Sequence, residues 1–442
     1  VNIGMDNVRA ETVHAHMPLR TAALPVGRGG LVDSILASAK RNFSVPDTHA
    51  ITDVWSFADR LVEEFISKAC IPGARKILKQ YQQSPIQLNV NSYNDWAAGK
   101  NEAYMKALLG DIPEELVELG FEKYTSILKG RVKPKLSVTA QRELGQPQVV
   151  VHQTKKETAV LSGVFRKAFE RFDGLLKDNI FSAGRVSDDE ISEWATKNIS
   201  NILGKLSVEG DSTMYDKSQS LLAMVIEVVF LLKLGVSVEV TEELKKSFVG
   251  TVRSRAAGLS FIIAMQRKSG HVDTMFGNLV YNFISVFHCV GPEKIKALIA
   301  KGDDNVVFLA PGTFDNEDGV KAAQKLGIYF NLESKIIMDE VPGFSSGGFV
   351  PLDNALMYFP DPVKLLELQG ERTSNEREVI NEKFQSFRDK VSIYNRLGAP
   401  EAIQAWVCHR YKRTADIVGL INAYLTLAND FPAYAQMRGV KL

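Results

Sequence analysis

The stretch "LIAKGDDNVVFLA" (Leu298–Ala310) constrains the fold of this chain more than any other. Two apolar runs, Leu298–Ala300 and Val306–Leu309, have the character of core strands. Gly302-Asp303-Asp304-Asn305 lies between them and holds the residue types that a tight turn between strands uses. The sequence therefore predicts an antiparallel hairpin whose flanks are buried. Its tip carries two adjacent acids, Asp303 and Asp304. An ordinary surface turn meets all these requirements, so the tripeptide alone says nothing about chemistry.

What surrounds the hairpin narrows the class. From Leu206 to about Val350 strand and helix signals alternate. "KLSVEGDSTMYDKSQS" opens with Leu206 and Val208 on one face and Ser207, Glu209 and Asp211 on the other. "LLAMVIEVVFLLKLGV" (Leu221–Val236) contains Glu227 and Lys233 and is too short to span a bilayer, so it predicts a buried helix. "RKSGHVDTMFGNLVYNFISVFHCV" leads from a glycine turn into a long apolar helix. "NEDGVKAAQKLG" predicts an amphipathic helix, followed by a strand-like "IYFNLESKIIM" and the Gly-rich hairpin "VPGFSSGGFV". Helical periodicity dominates from Leu31 to about Ala103, from Val164 to Leu203, and again after "YFPDPVKLLELQG". Residues 128–160 read instead as an extended basic stretch broken by Pro134 and Pro147, a pattern that usually marks a solvated loop. The expected class is α+β, a central antiparallel sheet packed on helices with helical regions on either side.

Composition removes several function classes. A chain of 442 residues, 45% hydrophobic with net charge +1, can bury a large core shared among two or three subdomains and is no histone-like polycation. Cys70, Cys289 and Cys408 are too scattered for a disulfide scaffold, which points to a reducing compartment. The pairs His288-Cys289 and Cys408-His409 suggest zinc, but neighbouring side chains point apart and no CxxC spacing exists. No secretory signal, P-loop or dinucleotide fingerprint is present. The chain starts at Val1 and is irregular to about residue 30, so a piece of a longer protein is expected.

Four elements then combine. Asp211 and Asp216 are five apart after a strand; "SGHVDTMFGN" carries Ser269, Gly270, Thr274 and Asn278; the hairpin carries Asp303 and Asp304; and Lys335 follows in "NLESK". Thr274 and Asn278 lie four apart on one helix face. Phosphoryl transfer uses paired divalent ions that bridge attacking and leaving oxygens, and carboxylates at strand ends suit them. Magnesium keeps several waters or phosphate oxygens, so two or three aspartates suffice, and a nearby lysine can protonate a departing pyrophosphate. Each acid alone has a plain structural explanation. Their joint order and spacing do not.

That order (D-x4-D, SG-x3-T-x3-N, GDD, lysine, Gly-rich hairpin) resembles viral RNA-dependent RNA polymerases. "YDKSQ", "QRKSGHVDTMFGN", "GDDN", "NLESK" and "GGFV" are similar to the alphavirus-like supergroup, which includes alphavirus, tobamovirus, kitavirus and negevirus replicases. "ILASAKRNF", "VFRKAF" and "PDPVKLLELQG" extend the resemblance over most of the chain. It implies a right-hand polymerase: fingers over 1–204 with a basic motif at 128–167, palm over 205–350 with a fingers return near 233–259, and thumb over 351–442. It implies that Asp211 and Asp303 hold two Mg2+ ions with Asp304 assisting, Mn2+ being able to substitute, and that Lys335 is the general acid. Asp216 and Asn278 are then the residues that read the ribose of the incoming nucleotide, since a 2′-hydroxyl both donates and accepts. Ser269 and Thr274 support them, and Gly270 lets the backbone approach the nascent pair. Lys155, Lys156 and Arg166 fall where the triphosphate or template is gripped, Arg166 best suited to bidentate phosphate contact. Arg131, Lys133 and Lys135 are further candidates for RNA phosphates.

The resemblance also implies partners: RNA template and product, nucleoside triphosphates, the helicase and capping methyltransferase parts of a replicase polyprotein, and host membranes indirectly. The expected place is the host cytoplasm, at membrane-associated replication complexes. Two departures stand out, Ser212 where relatives carry an apolar residue and Ser345-Ser346 where they often have cysteine. The alternatives are a reverse transcriptase, which lacks the Asp216 and Asn278 pairing, and a non-enzymatic RNA-binding or scaffold subunit of a replicase.

Overall fold

The computed structural model describes residues 31–43, 51–88, 94, 97–98, 121–128, 148–213, 215–254, 258–369, 377–412, 414–438 and 440. Among these the strands are β1 (Lys123–Leu128), β2 (Val149–His152), β3 (Ile180–Ser182), β4 (Leu206–Ser212), β5 (Val249–Ser254), β6 (Leu259–Ala264), β7 (Ile295–Lys301), β8 (Asp304–Leu309), β9 (Ser334–Asp339), β10 (Gly343–Phe344), β11 (Gly347–Leu352) and β12 (Ala355–Pro360). Sheets and helices mix throughout, as the α+β expectation requires.

The largest sheet has the order β3-β7-β8-β4-β9. Its centre is the expected hairpin, but the turn is tighter than the sequence suggested. Lys301 pairs with Asp304, so only Gly302 and Asp303 lie outside the ladder, with Gly302 at a φ of 61° that favours glycine. Asp304 and Asn305 are thus strand residues. The sheet is also not wholly antiparallel, because β3 joins β7 in parallel at one edge.

Both faces of this sheet are covered, which overturns the expectation of a polar face on β4. Val208, Leu298, Ala300, Val307 and Leu309 pack into the main core. Ala297, Ile299, Val306 and Phe308 pack into a second one with Phe344, Phe349, Tyr358 and Trp194. Ser207 and Glu209 on β4 are therefore buried as well. Helices Val54–Ala69, Lys155–Asp173, Leu221–Lys233 and Thr274–Val290 cover the first face. They meet around Phe65, whose ring lies 6.2 Å from Phe172, 6.0 Å from Phe230 and 5.3 Å from Phe287. The Phe172 ring stacks on Phe65 while Phe230 and Phe287 meet it edge-to-face, and such ring pairs contribute beyond the area they bury.

Two boundaries differ from the sequence reading. The helix that starts at Lys155 cuts short the stretch read as extended to residue 160, because Thr154 and Glu157 form a reciprocal capping box. "IYF" belongs to the helix Asn316–Phe330, which runs on until Asn331 ends it in the left-handed conformation. Strand β9 begins only at Ser334.

A second sheet, β2-β1-β5-β6, packs on the helix Leu31–Asn42 through Ala37, Tyr124, Val151, Val252 and Ile263. Residues 249–264 therefore join segments from residues 123–152 and leave the large sheet alone. The third sheet, β10-β11-β12, links the large sheet to the C-terminal helices Arg377–Val391, Ala399–Tyr411, Ile417–Ala428 and Phe431–Met437. Val350, Met357 and Phe359 from β11 and β12 enter the core of those helices. The division drawn at 350/351 falls inside β11. Among the described residues no helix is long and apolar enough to cross a membrane.

Candidate active site

The acids lie where the apolar strand interiors stop. The β4–β8 ladder ends with Glu209 opposite Val306, and continuing its register brings Asp211 level with Asp304. On the other side of β4, Asp211 pairs directly with Lys335 of β9. Residues opposite each other share a sheet face, so Asp211, Asp304 and Lys335 project on the same side. Asp211, Asp303, Asp304 and Lys335 are all exposed. Strand register thus gathers acids far apart in sequence at one sheet end, with a lysine across from them.

Two asparagines that sequence reasoning missed hold this end in place. Asn282, buried on the Thr274–Val290 helix, donates to the carbonyls of Gly302 (3.0 Å) and Asp304 (3.3 Å). Its own carbonyl accepts from Asn305 Nδ2 at 2.8 Å. A Cβ at Gly210 would come within 3.1 Å of that Asn305 amide, so glycine lets β4 lie close to the clamp. A polar residue facing inward from an apolar helix was the signal available for Asn282.

Beside the acids lies a cleft of about 360 Å³ lined by Asp211, Asp304, Gly343, Ser345, Trp406 and Arg410 among others. Its far wall is the Gly-rich hairpin, whose turn residues Ser345 and Ser346 sit at φ 45° and 64°. Both values suit a tight two-residue hairpin turn. Glu209 ties the walls together: it accepts from the Gly343 backbone at 2.7 Å and from both guanidinium nitrogens of Arg410 at 2.7 Å each.

Asp216 and Asn278 are in direct contact. Asn278 Nδ2 donates to Asp216 Oδ1 at 3.0 Å, and the second carboxylate oxygen accepts from Arg41 at 2.7 Å. Gln219 Nε2 donates to Asn278 Oδ1 at 2.5 Å, and Arg267 Nε donates to Gln219 at 2.9 Å. Arg267 is buried with Glu227 at 2.7 Å and Asp273 at 3.1 Å. Burial pushes Glu227 well above the usual carboxylate range, with Arg267 beside it pulling the other way. Burial alone would raise Asp273 too, but His271 and Arg267 beside it hold it below its ordinary value. The buried set gathers Arg267, His271, Asp273 and Glu227, the last being the acid that the sequence placed in an apolar helix.

Lys268, next in the chain, is buried and donates to the backbone carbonyls of Ser247 (2.5 Å) and Phe248 (3.0 Å). Burial lowers its ammonium to about 7, only partly offset by Asp273. Below pH 7 folded and unfolded chains both carry this proton; from there to about pH 10.4 only the unfolded chain does. Folding stability contributed by this group must then rise with pH across that window, by up to about 1.4 kcal/mol per pH unit. Urea midpoints at pH 7, 8 and 9 should show this slope in the wild type and its loss in Lys268→Met. Parallel curves for the two proteins would refute it.

The remaining candidates divide. Thr274 Oγ1 donates to the Lys268 carbonyl at 2.8 Å and so braces the loop before its helix. Ser269 is half-buried in that loop. Gly270 donates its N–H to the Val151 carbonyl at 2.8 Å, and a Cβ there would meet His152 Cβ at 2.7 Å. Its lack of side chain serves packing on β2. Lys155 and Lys156 occupy the first turn of their helix, and their side chains lie outside the described residues, as do Arg131, Lys133 and Lys135. Arg166 pairs with Glu170, one turn along the same helix, at 3.1 Å. His288 binds Glu64 at 2.9 Å and His409 binds Asp339 at 2.8 Å, while burial pushes the Cys289 thiol up to about 12. The histidines thus bind carboxylates, and that thiol is no ready zinc ligand.

Three exposed aspartates offer hard oxygen donors of the kind Mg2+ or Mn2+ takes. Among the described residues they do not form a preassembled group of three or more ligands. The donor set fits a divalent ion that completes its shell with water or phosphate oxygens, which is the habit of magnesium.

The profile of the RNA dependent RNA polymerase family matches residues 5–437. The replicase large subunit of potato mop-top virus is 25% identical over 95% of this chain, which spans 22% of that protein. The RNA replication protein of citrus leprosis virus C is 26% identical over 92%, and this chain spans 16% of it. The RNA-directed RNA polymerase of barley stripe mosaic virus is 24% identical over 89%, with 49% of its length spanned. A profile matched over nearly the whole length, with relatives among these replicases, settles the kinship: the chain belongs to the RNA-dependent RNA polymerase family of alphavirus-like viruses.

Proposed function

We propose that this chain carries out template-directed RNA synthesis, joining nucleoside triphosphates to the 3′ end of an RNA strand during viral genome replication and transcription. One observation carries the reading: Asp211 and Asp304 are level on adjacent strands, with Lys335 across from Asp211. Asp211 and Asp303, with Asp304 assisting, are the residues to hold two divalent ions, Mg2+ or Mn2+. Such ions, when bound, supply Lewis acidity toward the phosphoryl oxygens and the attacking hydroxyl.

The chain's own groups do the rest. Lys335 donates a proton to the departing pyrophosphate oxygen. Asp216 accepts from a ribose 2′-hydroxyl while Asn278 donates to it, which separates a ribonucleotide from a deoxynucleotide and disfavours the reverse-transcriptase alternative. Arg166, with Lys155 and Lys156, is assigned to the triphosphate or template. The large sheet serves as palm, residues before it with the second sheet as fingers, and the C-terminal helices as thumb. The relatives are long replicases of which this chain corresponds to one part, so helicase and capping methyltransferase parts are proposed partners. Work at cytoplasmic membranes is proposed to depend on such partners.

Primer extension on a short RNA template tests the proposal. Complementary ribonucleotide product should form with Mg2+ and vanish on chelation, returning when the ion is restored. Binding of RNA without any incorporation, under every divalent ion tried, would favour the scaffold alternative.

A further inference from the structure

We propose that Arg41 is a positioning residue for ribose selection, holding the Asp216 carboxylate in the one orientation in which it and Asn278 can read a 2′-hydroxyl. The proposal rests on the ribose-reading role given above to Asp216 and Asn278.

Each hydrogen bond in this group fixes the next. Gln219 uses its carbonyl oxygen to accept from Arg267 Nε, so its amide nitrogen faces Asn278. Asn278 Oδ1 is thereby occupied, and its NH2 must turn toward Asp216. What Asn278 has left for a ligand is its second N–H, a donor. What Asp216 has left is lone pairs, acceptors. A hydroxyl matches this complement and a hydrogen atom does not.

The weak link is Asp216 itself. The torsion that turns a carboxylate is broad, and one hydrogen bond from Asn278 leaves it free to pivot. Arg41 removes that freedom by taking the second oxygen at 2.7 Å, with the two side chains only 26% and 15% exposed. The arginine is itself anchored. Lys217, adjacent to Asp216, donates to the Lys40 carbonyl at 3.0 Å, and Asn42 donates to Gln266 at 3.2 Å. The end of the Leu31–Asn42 helix is thus tied down on both sides of Arg41, which makes this a built contact. A charge-assisted hydrogen bond in such a place is among the stronger kinds.

The experiment measures dissociation constants of ATP and 2′-deoxyATP for the full chain on a primed RNA template with Mg2+, and the same ratio in single-nucleotide incorporation. In the wild type ATP should be preferred. Arg41→Ala should shrink the preference about tenfold, mainly by weakening ATP, and Arg41→Lys should restore most of it. Asp216→Asn and Asn278→Ala serve as references and should each collapse the preference. An unchanged preference in Arg41→Ala beside a collapse in the references would overturn the role of Arg41 and leave ribose reading intact. An equal weakening of both nucleotides would overturn it too, making Arg41 a phosphate contact. No change in the references would overturn the ribose reading itself. Should Arg41→Ala fail to fold by circular dichroism, Arg41→Gln, which keeps a donor without the charge, is judged by the same criteria.

Discussion

Asp303→Ala and Asp211→Ala should each lower nucleotide incorporation by about a thousandfold or more. Losing a carboxylate that helps hold a catalytic ion removes several kcal/mol of transition-state stabilisation, and each 1.36 kcal/mol is about tenfold in rate. The same substitutions should barely alter stability. Both side chains are exposed, and exposed positions away from special features shift stability by within about 0.5 kcal/mol. The pair of measurements, extension rate and urea midpoint, separates a chemical loss from a structural one. Asp304→Ala should be milder than either, in keeping with an assisting role. Undiminished synthesis by Asp303→Ala would remove the site assignment altogether.

The second large effect is structural and sits under Asp216 and Asn278. Arg267→Ala should cost about 3–5 kcal/mol, the usual consequence of breaking a buried ion pair from one side. It strands the Asp273 carboxylate in a core where Arg267 and His271 now hold its charge. It also frees Gln219, which Arg267 orients, so residual activity should show blunted preference for ribonucleotides. Arg267→Met combined with Asp273→Asn should recover most of the stability, since both charges then leave together. Urea denaturation of the two variants checks this. A single variant as stable as the wild type would mean that the buried charges do not depend on each other.

The sequence made the ends of the site legible and hid its supports. The acids of the hairpin, Asp211, Asp216 and Asn278 stood out through their joint order and spacing, since each alone has a plain structural explanation, and their expected roles came with the resemblance that order carries. Glu227 was visible as a charge inside "LLAMVIEVVFLLKLGV". Its partners, Arg267 and Asp273, lie about forty residues on in a loop of mixed character, and no local pattern predicts that pairing. Asn282 shows in the sequence only as a polar residue in an apolar helix and Asn305 only as part of the turn, and their mutual bond depends on how helix and hairpin stack. The second sheet was also hidden, because β1 pairs in parallel with β5, across more than a hundred residues. The extent of helix at Lys155 was missed although its capping box is written in "TKKE"; the surrounding lysines and prolines drew attention to a loop instead.

The Glu209–Arg410 contact joins residues 201 positions apart. Glu209 is two residues from Asp211, so the strand that bears the first acid keeps a buried carboxylate without its cation until the segment around Arg410 has been made. During synthesis on the ribosome, that strand therefore waits until residue 410 has been made before it can settle. A product cut short of Arg410 would own every acid of the site and still lack the tie that seats them. Translation through residue 410 is, in this way, a condition for seating the strand that carries Asp211.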